Sequence, residues 1–410
     1  MLPANQARRV GRTPFSSFRL LALLPAAFLA LSAFALTACI DFPSDEDDQS
    51  GENLGAACGP LPYFSILPVP EATIDWADVI GRLGAPSQTL PKGHTGLMLN
   101  TVNVPIVAPG DMTIERMRRV RYLASPNRQG FEDYALFYRV CKDVTGHFGH
   151  VITLDSNTFA DEIPWSGCST YNTADETVEM CEVSLSKKTV TAGEPLGTAS
   201  APHGMALDMG LVDRRVTHFL AAPDRYPGDF SNTVCPFEYY DAASQEIVFA
   251  KMTDFWQREK PRTGTPRCGT LEIDVAGSAQ GSWSETTGPL SSAEQHRQIA
   301  LANNPYWPQE ELVLSMGPAT LGAGTYRVPR ETTGRVNRVF ADVTADAGIH
   351  CYHASDLAGP GAADTLSWLV ALQAGGSLQV ERVAHGAGSS PCDAAPATWA
   401  FGINALVMVR

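Results

Sequence analysis

No Cys-x-x-Cys pair, no phosphate-cradling Gly-x-x-x-x-Gly-Lys loop and no dinucleotide glycine fingerprint occurs anywhere in this sequence. Those absences remove zinc-ribbon and dithiol redox chemistry, P-loop nucleotide hydrolysis and Rossmann-type cofactor binding. A Ser-His-Asp pattern with supporting context is missing as well. The chain also shows no internal repeat and no long low-complexity tract. Positive charge is scarce: 30 Lys and Arg stand against 44 Asp and Glu, for a net charge of −14. Nucleic-acid binding needs clustered cations to displace phosphate counterions, and an acidic chain is poorly suited to it.

Only one long apolar run exists, and it is N-terminal. "LLALLPAAFLALSAFALTAC" follows Arg8, Arg9, Arg12 and Arg19, with no acidic residue before it. A basic start, an apolar centre and small residues before a cut describe an export signal, here residues 1–38. The run approaches the length of a membrane span, but Pro25 and the closing small residues favour cleavage. Leu36-Thr37-Ala38-Cys39 resembles the lipobox of bacterial lipoproteins, which implies lipidation of Cys39 and a membrane partner reached through acyl chains. Ile40, rather than Asp, after that Cys resembles the outer-membrane sorting pattern. Loss of the four arginines would take the net charge from −14 to −18. Residues 39–58, acidic and polar, read as a flexible tether that cannot bury enough apolar surface to order itself.

Eight cysteines remain: Cys58, Cys141, Cys168, Cys181, Cys235, Cys268, Cys351 and Cys392. An even set in an exported chain reads as a disulfide framework, although eight cysteines allow 105 connectivities. The preferred pairing is Cys168–Cys181, Cys235–Cys268 and Cys351–Cys392, which leaves Cys58–Cys141; free buried thiols stay open.

Short apolar segments rich in β-branched and aromatic residues alternate with turn residues: "YALFYRV", "HVITL", "RVTHFLA", "NRVFADVT", "WLVALQ", "SLQVERV" and "INALVMVR". This is a mainly β chain with few helices. One helix is expected over Ala243–Glu259, where Val248, Met252, Phe255 and Trp256 share a face. A second is expected in "SSAEQHRQIALA", where Ser291 and Glu294 have capping-box spacing. "CGTLEIDVAGSAQGSWSE" suggests two strands about a Gly-rich bend, with Trp283 in a core.

Three stretches carry a resemblance: "GHTGLML…VPIVAPGDMTI", "FGHVITLD" and "VTAGEPLGTASAPHGMALDMGLVD". In that order they resemble the lysostaphin-type (LytM) zinc endopeptidases of bacterial peptidoglycan, over about Leu61–Pro223. The resemblance implies a two-sheet β sandwich of duplicated hybrid-motif type with a groove across it. The peptidase-like domain is taken as 59–230; the expected helix and a Cys pair mark 231–267 as a helical connector, and the strands, Cys pair and closing "WAFGINALVMVR" of 268–410 suggest a compact C-terminal β barrel or sandwich.

Scaffold positions match, including Pro105, Ala108, Pro109, Asp111 and the Ala192–Gly197 turn. The chemistry departs from the family. His94 and Asp208 stand at metal-ligand positions and His150 at that of the assisting histidine. Met98 replaces a ligating carboxylate, and Ala206 replaces the other assisting histidine. A thioether is a poor ligand for zinc. Asn100 and His203 are the remaining candidate donors, and His147 and Asp155 read as surface polarity. His350 and His353 are disfavoured as a metal pair because residues three apart on a strand face opposite ways. Zinc is the one cofactor the resemblance admits; the substitutions point to none. The expected function is a non-catalytic envelope module binding peptidoglycan or an envelope partner. The alternatives are an active zinc endopeptidase with substituted ligands and a purely structural lipoprotein.

Overall fold

A computed structural model describes residues 55–124, 130–159, 163–172, 177–201, 204–255, 257–290, 292–354, 356–357, 366–386 and 388–410. The readings on Cys39, the leader, most of the tether, His203, Trp256 and Ser291 lie outside the described residues. The architecture is mainly β, as the alternation led us to expect, with one α-helix among the described residues.

The first half supplies eleven strands. They are β1 (Ile74–Ala77), β2 (Thr95–Leu99), β3 (Val104–Val107), β4 (Met112–Tyr122), β5 (Phe131–Cys141) and β6 (Val144–Leu154). Then come β7 (Ser166–Asn172), β8 (Thr177–Val190), β9 (Pro195–Ala199), β10 (Ala206–Asp213) and β11 (Thr233–Val234). Hydrogen bonding orders them β1-β2-β10-β6-β5-β4-β8-β7, with β11 on β10 and a β3–β9 pair attached through β6. All these pairings are antiparallel. Alternation puts Leu97, Leu136, Phe148, Leu207 and Met209 into one core.

Cations concentrated in β4 are consumed inside the sheet. Arg118 is fully buried and lies 2.6 Å from Glu182, directly opposite on β8. Arg121 lies between Glu132 and Glu179 on the two flanking strands. Opposite charges paired across strands stabilise the ladder instead of forming a basic face.

The second half contains β12 (Gly281–Ser284), β13 (Gln298–Asn303), β14 (Glu311–Met316), β15 (Gly324–Pro329) and β16 (His350–His353). It ends with β17 (Asp356–Leu357), β18 (Leu366–Leu372), β19 (Leu378–Ala384) and β20 (Leu406–Met408). They form a five-stranded sheet, β12-β13-β14-β15-β17, and a four-stranded sheet, β16-β18-β19-β20. Trp283, Trp368 and Tyr352 fill the core that the two sheets share.

The disulfides are Cys58–Cys141, Cys168–Cys181, Cys235–Cys268 and Cys351–Cys392, the pairing preferred from the sequence.

Several local expectations are corrected. The helix α1 spans Ala242–Ala250, not Ala243–Glu259. Asp241 caps its start by accepting from the backbone N–H groups of Ala243 and Ser244. Its end is tertiary in origin, because Met252 bridges to Ala77 and Thr253 to Pro261. The segment "SAEQHR" is a 3-10 turn and "QIALAN" is β13, whose continuous apolar run is buried between β12 and β14. Such a run reads equally as helix or strand by periodicity.

"RVTHFLA" and "CGTLEIDV" are not strands. Side chains lace these two loops together: Glu272 accepts from the Phe219 N–H at 2.9 Å and Asp274 from that of Ala221 at 2.8 Å. "NRVFADVT" makes only a 3-10 turn at Phe340–Asp342, with Phe340 and Val343 buried beneath it.

Candidate functional site

His94 precedes β2, Asp208 lies on β10 and His150 on β6; these are neighbouring strands, and the three side chains meet. Asp208 Oδ2 lies 3.1 Å from His94 Nε2 and 3.4 Å from His150 Nε2. A β-bulge aims His150. Tyr134 pairs with Val151 and Leu136 with Phe148, so Gly149 and His150 together oppose one residue of β5. At the bulge His150 adopts φ 61°, and β6 changes partner from β10 to β9. Bulges commonly re-aim a side chain in this way. On its far side, His150 Nδ1 lies 2.7 Å from Asp133 Oδ2.

Lys92, Asp133, Asp78 and His147 complete the cluster, and sequence reasoning assigned none of them to it. The Lys92 ammonium lies 3.3 Å from Asp208 Oδ1 and 3.8 Å from Asp78 Oδ2. Asp78 is fully buried and also lies 2.9 Å from Arg82. His147, expected to be only a polar group at the surface, joins the cluster: its ring centroid is 5.8 Å from that of His94 and its Nε2 is sealed from solvent. A side chain at Gly210 would collide with it, a Cβ there falling 2.0 Å from His147 Cε1. Charged residues embedded in apolar strands, such as Asp133 in "FEDYALFYRV", were the available signal.

Other candidates fall elsewhere. Asn100 is exposed and donates to the Ala72 carbonyl at 2.9 Å. Asp155 closes a turn by accepting from the backbone N–H groups of Asn157 and Thr158. Met98 does reach the cluster: its methyl and Asp208 Oδ1 each lie 2.9 Å from where a Gly96 Cβ would stand. Ala206 is its direct cross-strand partner.

The electrostatics separate the three histidines. Burial opposes charge on His150, but Asp133 and Asp208 outweigh it and raise its pKa well above the ordinary value. Burial, reinforced by Lys92, lowers that of His94. His147 is pushed down to about 3, by burial and then by His94. Burial also opposes ionisation of Asp208, yet Lys92, His94 and His150 together hold its carboxyl well below the usual range. Near neutral pH these shifts favour a charged His150 beside an ionised Asp208, and uncharged imidazoles at His94 and His147.

Zinc, which the resemblance implies, does not fit this donor set. Catalytic zinc needs three protein ligands and an open position. Here the Lys92 side chain lies 3.3 Å from Asp208, Met98 brings a thioether where a carboxylate would ligate, and His150 Nδ1 is engaged by Asp133 at 2.7 Å. The arrangement instead offers an ion-paired floor whose solvent-facing member is His150, with its side chain 29% exposed.

What fold and site define together is a disulfide-bonded, mainly β protein with a buried His–Asp–Lys cluster. Comparison with known proteins finds no matching family model and no matching curated sequence.

Proposed function

We propose that this chain is a lipid-anchored cell-envelope protein whose first half is a degenerate lysostaphin-like domain that binds peptidoglycan stem peptides without cleaving them. The observation that carries the reading is the Lys92 ammonium, 3.3 Å from Asp208. It neutralises the carboxylate that would otherwise hold a cation, while His150 still faces solvent. The division of β6 between β10 and β9 supports a two-layer sandwich with a groove at the bulge. The apolar leader and Cys39 support export and an outer-membrane anchor.

The test uses full-length protein extracted from membranes with detergent. Intact mass should show an N-terminus at acylated Cys39, and a different start would remove the anchor from the proposal. That protein should co-sediment with purified peptidoglycan sacculi and release no soluble peptide, with or without added zinc. His150→Gln should weaken the sedimentation several-fold. Zinc-stimulated release would establish the peptidase alternative. Absence of sedimentation would leave a structural lipoprotein.

A further inference from the structure

A second cluster of metal-ligating side chains lies in the C-terminal half, at one end of the β16-β18-β19 sheet. His353 pairs directly with Ser367, and Ser367 with Val383. Cross-strand partners share a face, as do residues two apart on a strand, so His385 comes to the same side as His353 and Ser367. Ser367 Oγ lies 3.1 Å from His353 Nδ1 and 3.0 Å from His385 Nε2. Ser390 Oγ is 3.1 Å away, and the two ring centroids are 5.4 Å apart.

We propose that His353 and His385 form a binding site for a divalent transition-metal ion, taking Cu2+ in preference to Zn2+. Two imidazole nitrogens, one on β16 and one just past the end of β19, are aimed at one hydroxyl, which has a single proton to donate. His385 Nδ1 lies 3.0 Å from the Gly386 carbonyl. Donation there leaves Nε2 with its lone pair directed inward, and a ring N–H held by a carbonyl is what orients metal-bound histidines. His353 presents Nδ1 inward once its proton moves to Nε2. The ion then takes the two nitrogens in place of the hydroxyl's hydrogen bonds, and water or hydroxyl oxygens complete its coordination.

The support is rigid. Ser390 Oγ accepts from the Cys392 N–H, and Cys392 is bonded to Cys351, two residues from His353. Both histidines are only half-buried, so an ion can reach them. Imidazole suits copper, zinc and nickel alike, and copper binds most tightly at a given nitrogen site. The groove cluster differs because there the ammonium of Lys92 already neutralises the carboxylate.

The experiment is titration of the purified full chain with Cu2+, read by electron paramagnetic resonance. One equivalent should bind saturably with hyperfine coupling to two imidazole nitrogens. His353→Gln or His385→Gln should each weaken it about tenfold or more, and the double variant should abolish it. His218→Gln should leave it unchanged. Ser367→Ala keeps both rings and should bind at least as tightly. Should the histidine variants fail to fold, Cu2+ added to the wild type must selectively broaden the ring protons of His353 and His385. Unsaturable binding, copper retained by a folded double variant, or broadening centred on other histidines would each overturn the proposal.

Discussion

Both oxygens of Asp213 are already bonded before any charge is considered. Arg215 approaches Oδ1 at 2.8 Å and Oδ2 at 2.7 Å, its backbone N–H donates to Oδ1, and the Tyr239 hydroxyl donates to Oδ2 at 2.7 Å. The Arg215 side-chain hydrogen bonds, followed by that from Tyr239, overcome burial and lower the carboxyl from 3.8 to about 2. A depressed carboxyl contributes stability above its unfolded value and loses it as pH falls through the folded one. The window is therefore 3.8 down to about 2. Because Arg215 is partly exposed and screened, the contribution is about 1–2 kcal/mol. Denaturant unfolding of wild type and Asp213→Asn should show the stability gap narrowing by that amount between the ends of the window. A gap that stays constant would show that the native carboxyl is not depressed.

Strand β6 has one residue too many where it passes β5, and the surplus delivers His150 to Asp208. His150 has φ 61°, a left-handed conformation that costs an L side chain about 1–2 kcal/mol. In an ordinary strand glycine is worse than alanine by about 0.5–1 kcal/mol. At this position the order should reverse. His150→Gly and His150→Ala both remove the imidazole and its ion pairs, so their difference isolates the backbone. The glycine variant should be the more stable by about 1 kcal/mol in urea unfolding, and an alanine variant equal to or above it would place His150 in a regular strand.

The alternation of "YALFYRV" and "HVITL" made these strands legible, and "GHTG", "FGHV" and "ALDMG" named three side chains that do meet. The bulge was not legible, since an extra residue leaves the apolar pattern looking intact. Lys92 and Asp133 were missed because periodicity reports where apolar groups go, and these two are buried through one another's neighbours. The loops misread as strands have strand-like composition, but the N–H groups of Phe219 and Ala221 donate to the carboxylates of Glu272 and Asp274 instead of to a neighbouring strand. His353 was correctly separated from His350. Its partner His385 lies two strands away, beyond the reach of local spacing.

The halves on either side of α1 share packing as well as a chain. Tyr306 and Trp307, from the loop before β14, belong to the core built by β2, β6 and β10. The Tyr306 hydroxyl donates to the buried Asp78 at 2.6 Å, so the ion-paired cluster of Asp78, Lys92 and Asp208 is tied to the second half. In return, the connection between β1 and β2 leans on the second half: the Thr89 N–H donates to Gln295 Oε1 at 2.7 Å, and Leu83 and Leu90 pack with Ala300, Ala302 and Val313. Separating the halves would expose those apolar surfaces and strand Asp78 without one partner, both unfavourable. These contacts couple the two halves. With disulfides intact, calorimetry should show one transition whose measured enthalpy equals the van't Hoff value. Tyr306→Ala removes a buried ring and should lower that single transition, at a cost of about 3–5 kcal/mol. Two resolved transitions would show that the halves are independent, as would a fragment of residues 55–267 that folds with native near-ultraviolet circular dichroism.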